Sequence, residues 1–170
     1  MRLLFEIDKK DYNENGTRFE RPSVRGIVIR DGKIAMVHSL KYNYYKFPGG
    51  GTEPGESHEE TLIREMKEET GLTVIPESIR EYGLVHRVQK GKIEDMFIQD
   101  NYYYLCDAEE EVVSQHLDKY EAGEGYMLEF VEPETVIRKN RSVTQSPYNP
   151  LMFEREARVI EMLAAEGLLG

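Results

Sequence analysis

A glycine-rich loop followed by a helix with both ends specified is the feature that most constrains the fold of this chain. Residues 48–51 read Pro-Gly-Gly-Gly, and the helical segment begins soon afterwards. Ser57 with Glu60 three residues later forms a capping-box pattern, while Gly71 stands where a left-handed C-terminal cap belongs. The sequence therefore predicts a shaped loop and a helix over about 58–70.

Three glutamates share one face of this predicted helix. Glu65, Glu68 and Glu69 lie at positions i, i+3 and i+4, so their carboxylates fall within an arc of about 100°. The like-charge i,i+4 pair and the acidic last turn both cost stability, which indicates that a cation lies nearby. A solvated acidic face is the alternative interpretation. The glycine loop favours a site for a metal-bound diphosphate, because backbone without side chains can approach a ligand closely.

Residues 50–72 resemble the signature of the Nudix hydrolase family. That signature is Gly, five residues, Glu, seven residues, Arg-Glu, a bulky aliphatic residue, any residue, Glu-Glu, any residue, Gly and a bulky aliphatic residue. Its constrained positions are filled here by Gly50, Glu56, Arg64, Glu65, Met66, Glu68, Glu69, Gly71 and Leu72. Met66 is a mild departure, since a branched residue is usual there. A pattern with this many constrained positions is far more specific than a lone glycine loop.

The resemblance implies an α/β fold, namely a Nudix-type α/β/α sandwich with a mixed β-sheet, that binds Mg²⁺ or Mn²⁺. Glu65, Glu68 and Glu69 match the family's metal-binding glutamates. The carbonyl of Gly50 matches a backbone ligand of the metal. The loop and helix would thus form the metal site.

The reaction that the resemblance implies is hydrolysis of a diphosphate linkage in a nucleoside diphosphate linked to another moiety, by attack of water at phosphorus. A bound divalent cation can supply hydroxide at neutral pH and neutralise the diphosphate. Arg64 matches the arginine that orients a neighbouring glutamate, and Glu56 matches a loop glutamate expected behind the metal ligands. The base that activates the water is Glu65 or a glutamate from outside residues 50–72.

Glu129 is the predicted outside glutamate. It precedes residues 130–133, Phe-Val-Glu-Pro, which resemble the family's glutamate-aromatic step after the last strands of the sheet. Its rivals Glu121 and Glu124 lie in a glycine-containing segment that has the composition of a mobile loop. An ordinary surface glutamate remains an equal alternative for each of them.

Aromatic residues just ahead of the glycine loop are candidates for binding the substrate. Tyr44, Tyr45 and Phe47 are predicted to form a wall on which a base stacks. Arg25 is a candidate phosphate contact, although an exposed charge at a strand edge explains it equally well. Substrate identity stays open between nucleoside triphosphates, nucleotide sugars and dinucleotide polyphosphates.

The rest of the chain mixes strands and helices without a regular βαβ repeat, which favours one domain over residues 1–170. Residues 1–21 indicate an N-terminal strand followed by a hairpin or loose arm. Asp31-Gly32 predicts a tight turn between two core strands. The remaining predicted elements are strands at about 73–75, 80–88, 95–105 and 126–131, and a C-terminal helix at about 150–167 that begins with Asn149-Pro150.

Charge narrows the range of partners. The 32 acidic and 22 basic residues give a net charge of -10, which argues against nucleic acid and anionic membranes as partners. Cys106 is the only cysteine and indicates a buried hydrophobe in a reducing compartment. No apolar run approaches the roughly 18 residues that span a bilayer. The expectation is a cytoplasmic protein whose partner is a nucleotide-like diphosphate small molecule, with a homodimer left open.

Two other classes of function compete with an enzyme. A non-catalytic Nudix-fold nucleotide-binding sensor or regulator would share the fold, but such proteins usually carry a degraded signature, whereas this signature is complete. An acidic cation-binding protein without catalysis would not need Arg64 or the glycine loop. Both alternatives predict no release of phosphate from nucleotides.

Overall fold

A computed structural model describes residues 1–170 as a mixture of short strands and four α-helices. The strands are β1 (Leu3–Asp8), β2 (Arg18–Glu20), β3 (Ser23–Ile27), β4 (Ile29–Arg30), β5 (Lys33–Ser39), β6 (Tyr44–Lys46), β7 (Gly49–Gly51), β8 (Leu72–Val74), β9 (Arg80–Gln89), β10 (Met96–Leu105), β11 (Ala108–Val112) and β12 (Tyr126–Val131). The helices are α1 (His58–Thr70), α2 (Lys119–Glu124), α3 (Pro133–Arg141) and α4 (Pro150–Ala165), with a 3₁₀ turn at Pro76–Ser78.

The strands form one large mixed sheet and two smaller sheets. The large sheet has the order β1-β9-β10-β3-β7, with β2 paired to β10 beside β3. Within it β10 runs parallel to β3 and antiparallel to β9. A four-stranded antiparallel sheet has the order β12-β5-β4, with β6 on β5, and β11 pairs with β8. The predicted mixed α/β fold is confirmed.

The turn between β4 and β5 follows the sequence prediction. Asp31 and Gly32 have φ angles of 50° and 74°, as a two-residue turn with two left-handed positions requires. Just before it, the chain leaves the large sheet at the end of β3 and enters the four-stranded sheet at β4.

Helices cover both faces of the large sheet. On one face Val24 and Tyr104 pack with Leu62 and Met66 of α1. Gly26 lies on the same face, where a Cβ atom would collide with the sulfur of Met66. The opposite face packs in a second core around α4, which includes Ile27, Tyr103, Val85, Val159, Ile160 and Leu163. This opposite surface is called the α4 face below.

The N-terminal segment and the chain after β10 differ from the sequence prediction. The predicted N-terminal strand is present as β1, but the residues after it form neither a hairpin nor a loose arm, because β1 pairs with β9 and β2 pairs with β10. The connection wraps the β9–β10 turn, where Lys90 N donates to Asp11 Oδ1 at 2.8 Å and Thr17 N donates to Asp95 Oδ2 at 2.8 Å. β11, α2 and α3 were not predicted. No helix combines the length and apolarity needed to cross a bilayer.

Candidate active site

The loop and helix take the predicted local structure. Ser57 Oγ accepts a hydrogen bond from Glu60 N at 3.2 Å, and Glu60 Oε2 accepts one from Ser57 N at 2.8 Å. Gly71 ends α1 with φ 77°. A Cβ atom on Gly50 would lie 2.6 Å from the carboxyl carbon of Glu65. Glycine is therefore required at position 50 if Glu65 is to keep this position.

Arg64 ties the loop to the helix. Its Nε donates to Glu56 Oε1 at 2.6 Å and its Nη2 to Glu56 Oε2 at 2.9 Å. Its Nη1 donates to Glu65 Oε1 at 2.7 Å and, at 3.4 Å, to Glu68 Oε2. The guanidinium lowers the pKa of Glu56 to about 2, so Glu56 is a permanent anion that holds Arg64 in position.

Glu65 and Glu68 line a polar cleft of about 420 Å³. The Glu65 side chain is 14% exposed and that of Glu68 is 42% exposed. Burial raises the pKa of Glu65, and the charge of Glu69 raises it further, while Arg64 opposes both effects. A buried carboxylate with a raised pKa gains from a nearby cation.

Glu69 is placed behind the cleft rather than in it. Its Oε1 lies 2.6 Å from Lys46 Nζ, and its Oε2 accepts a hydrogen bond from Gly49 N at 2.9 Å. Lys46 Nζ also lies 5.0 Å from the ring centroid of Tyr126. Glu69 therefore does not line the cleft with Glu65 and Glu68, and its charge is paired with Lys46, although it lies near enough to raise the pKa of Glu65.

Glu121 enters the cleft from α2. Its N–H donates to Asp118 Oδ1 at 3.0 Å, and its Oε2 accepts from Asp118 N at 2.9 Å, so a capping box fixes the first turn of α2. Burial, with a smaller contribution from the charge of Glu69, raises the pKa of Glu121 to about 7. Arg21 and His116 also line the cleft. From the sequence Glu121 was only a rival candidate, and no local signal pointed to Arg21.

Glu129 is not brought to the cleft, which corrects the preferred sequence choice. Its neighbours Leu128 and Phe130 pack against the core that contains Leu62, so alternation along β12 turns Glu129 to the other face. There Tyr45 Oη donates to Glu129 Oε1 at 3.1 Å, and His38 Nδ1 lies 3.0 Å from Glu129 Oε2.

The predicted aromatic wall is part of the core. Tyr44, Tyr45 and Phe47 are at most 1% exposed, so none offers a surface to a base. Arg25 donates from Nη1 to Gly49 O at 3.1 Å and to Phe47 O at 3.4 Å. The guanidinium therefore braces the backbone of the glycine strand.

The cleft residues fit a divalent cation by their chemistry. No three acidic or histidine side chains converge on one point at ligating distance in this arrangement. However, Glu65 and Glu121 both face the cleft with raised pKa values. Carboxylate oxygens are the ligands that Mg²⁺ and Mn²⁺ prefer, and a cation between them would offset the cost of burial.

A second depression, of about 690 Å³, lies between the β5–β6 turn and the segment after α3. Lys41 and Lys139 line it, together with hydroxyl and amide side chains, and it has no carboxylate in its lining. It therefore offers no carboxylate ligand to a metal ion.

Comparison with known proteins gives one family and several structural neighbours. The family model described as NUDIX domain matches residues 20–151. An RNA pyrophosphohydrolase from Baumannia cicadellinicola subsp. Homalodisca coagulata is 35% identical over 88 residues, which are 51% of this chain and 54% of the relative. An ADP-ribose pyrophosphatase from Methanocaldococcus jannaschii is 46% identical over 54 residues, 29% of this chain and 31% of the relative. The aligned part thus spans about half or less of these relatives.

Solved structures show the same fold. A NUDIX hydrolase from Nitrosomonas europaea superposes with a TM-score of 0.61 at 17% identity, covering 86% of this chain and 90% of the other. The MutT protein from Bacillus halodurans gives a TM-score of 0.56 at 22% identity, with 79% and 80% coverage. At these identities the likeness establishes the architecture alone.

Proposed function

The chain belongs to the Nudix family, and from that membership we propose that it hydrolyses a diphosphate linkage in a nucleoside diphosphate linked to another moiety. The observation that carries the proposal is the cleft, where Glu65 and Glu68 from α1 meet Glu121 from α2 beside Arg64. Two elements distant in sequence thus supply carboxylates to one polar surface. Such a surface suits cation-assisted attack of water on phosphorus.

Glu65, Glu68 and the carbonyl of Gly50 would hold Mg²⁺ or Mn²⁺. When bound, the cation neutralises the diphosphate and makes a coordinated water acidic. Glu69 would join these ligands only by giving up its contact with Lys46. Arg64 keeps Glu65 at the cleft, and Glu56 keeps Arg64 in place.

Glu121 is the proposed proton acceptor. A base works best when its pKa lies near the working pH, and burial raises the pKa of Glu121 to about 7. Its carboxylate is fixed by the Asp118 backbone amide at 2.9 Å. Glu65 is the alternative base, but it is already engaged by Arg64.

The names of the relatives define the substrates to test. One is called an RNA pyrophosphohydrolase and another an ADP-ribose pyrophosphatase. The expectation that nucleic acid is no partner, which rests on net charge alone, therefore needs its own experiment. A panel should contain nucleoside triphosphates, ADP-ribose, a nucleotide sugar and a short RNA with a 5′-triphosphate.

Release of phosphate, pyrophosphate or nucleoside monophosphate from this panel, with Mg²⁺ and with EDTA, tests the proposal. Glu68→Gln should abolish most of the release, whereas Glu59→Gln, an exposed change on the same helix, should not. A sensor would bind a nucleotide and release nothing. Absence of turnover on every substrate with Mg²⁺ would refute the enzyme and leave the sensor.

A further inference from the structure

Two arginines without a salt-bridge partner, Arg21 and Arg87, lie on the α4 face of the large sheet, and Arg21 borders the cleft. We infer that the surface formed by Arg21, Ser23, Arg87 and Gln99, called the basic shelf, binds a phosphate group of the substrate beyond the two joined by the hydrolysed linkage. The preferred substrates would carry three or more consecutive phosphates. The expected effect on KM rests on the proposed function, whereas the binding of phosphate to the shelf does not.

Strand register assembles the shelf. Ser23 pairs with Asn101, and Arg87 pairs with Gln99, while Arg21 N donates to Ile98 O at 3.1 Å. Alternation therefore places Arg21, Gln99 and Arg87 in one row across three strands. Strands about 4.8 Å apart put the two arginine Cα atoms at roughly 10 Å, a span that both side chains can bridge towards one anion.

The face on which this row lies is fixed by its neighbours. Asn101 Oδ1 accepts a hydrogen bond from Arg155 Nη1 of α4 at 3.0 Å, and Val85 belongs to the core under α4. The shelf is the neighbouring row on this same face, next to the row of Asn101 and Val85. Phe97, in the next row, is only partly buried, so the helix does not close the surface.

Arg87, at the end of the shelf away from the cleft, has no carboxylate partner. Arg87 donates only to Gln89 Oε1, at 3.1 Å from Nε and 2.8 Å from Nη2. Burial, together with the charges of Arg155 and Arg25, lowers its pKa to about 10, with no carboxylate to oppose these effects. In a chain with 32 acidic residues, a partly buried guanidinium that pairs with none of them is ready to pair with a ligand.

Ser23 provides an unused hydrogen-bonding group in the same place. It is 1% exposed, and its Oγ has no hydrogen-bond partner. The Nε of Arg25, two residues further on the same strand face, is also buried without a partner. Buried polar atoms are normally satisfied, so two unsatisfied ones on one strand face point to a polar ligand.

The shelf joins the cleft at Arg21. A Cβ atom on Gly51 would lie 2.5 Å from Arg21 Nε, so this side chain lies over the glycine strand. Arg21 also lines the cleft with Glu65 and Glu121. A polyphosphate with one end among the glutamates can therefore reach the arginines with the other end. Guanidinium groups match phosphate oxygens by bidentate hydrogen bonding.

The first experiment is a titration of the full chain with inorganic phosphate in EDTA. The backbone amide NMR shifts of Ser23 and Gln99 are the signals that report binding. A shelf that needs no metal should give saturable shifts at these residues. Arg87→Gln and Arg21→Gln should each weaken the affinity at least about fivefold, because each removes a charged donor. Arg80→Gln, an exposed change of equal charge on β9, should leave the affinity unchanged. Absence of saturable shifts, or equal affinity in all four proteins, would overturn the inference.

The second experiment compares KM for ATP and ADP-ribose in the presence of Mg²⁺. Arg87→Gln should raise KM for ATP about tenfold while changing KM for ADP-ribose less than about twofold, since only ATP has a third phosphate. An equal rise for both substrates would show that the shelf binds the nucleoside instead, and would overturn the inference. If neither substrate is hydrolysed but phosphate still binds the shelf, the proposed function fails and the phosphate site stands.

Discussion

Replacing Glu121 with glutamine should stabilise the metal-free protein at high pH and leave it unchanged at low pH. The substitution removes one negative charge from the cleft. It keeps the cap of α2, because the side-chain oxygen of glutamine can still accept the hydrogen bond that Asp118 N donates to Glu121 at 2.9 Å. The change in charge is therefore separated from a change in local structure.

The size of the effect follows from the pKa of Glu121, which burial raises from 4.5 to about 7. At about 1.36 kcal/mol per pKa unit, this difference sets a ceiling of about 3 kcal/mol. The folded protein binds this proton more tightly than the unfolded chain does. Wild type consequently loses stability as the pH rises from about 4.5 through about 7, and the glutamine variant, which cannot ionise, does not.

Urea unfolding in EDTA at pH 4.5 and pH 8 measures this difference directly. The variant should match wild type at pH 4.5 and exceed it by between about 1 and about 3 kcal/mol at pH 8. Glu59→Gln, on an exposed part of α1, is the control for loss of a negative charge. Saturating Mg²⁺ should reduce the difference in stability between the variant and wild type at pH 8. The cation stabilises wild type more, because wild type keeps all the carboxylates of the cleft. An equal difference in unfolding free energy between variant and wild type at both pH values would refute the reasoning, because the effect would then not depend on ionisation of Glu121.

Three further outcomes are expected. Turnover should vanish in excess EDTA, and Glu68→Gln should lower kcat by at least about 10²-fold with an unchanged circular dichroism spectrum; near wild-type turnover would remove Glu68 from the site. Glu69→Gln should destabilise the protein by roughly 3 kcal/mol in urea melts even without metal, because it leaves the Lys46 charge buried without its partner; an unchanged midpoint would contradict this pairing. Glu121→Gln should lower kcat at least about tenfold while Glu129→Gln should not, and the reverse order in steady-state assays would restore Glu129 as the base.

The loop and α1 were predictable because their signals are local. A capping box, a left-handed glycine cap and a proline-glycine loop act over a few residues, and the observed helix His58–Thr70 matches the prediction of about 58–70. The same holds for the Asp31-Gly32 turn and for α4, where Asn149 Oδ1 accepts from Leu151 N at 3.0 Å. None of these features depends on which strand lies next to which.

The errors concern groups whose surroundings are set by distant parts of the chain. On the helix sequence alone Glu69 is one of three unneutralised charges, whereas in the fold Lys46 on β6 lies 2.6 Å from it. Glu129 was preferred by its local sequence, but strand alternation and the packing of β12 on the α1 side turn it away from the cleft. The short helix α2 contains Gly123, so its composition resembles that of a loop. In the folded protein the capping box at Asp118 stabilises it as a helix.

The net charge of -10 was a poor guide to the surface that meets the substrate. Screening limits the reach of exposed charges to about 8–10 Å at physiological salt, so a phosphate group responds mainly to the groups within that distance. At the basic shelf these are Arg21 and Arg87, with Arg25 and the neutralised Arg155 behind them. The excess of acidic residues elsewhere still slows the approach of anions. In the proposed complex the orientation of the substrate would be set locally, with carboxylates and a cation at one end of the cleft and guanidinium groups at the other.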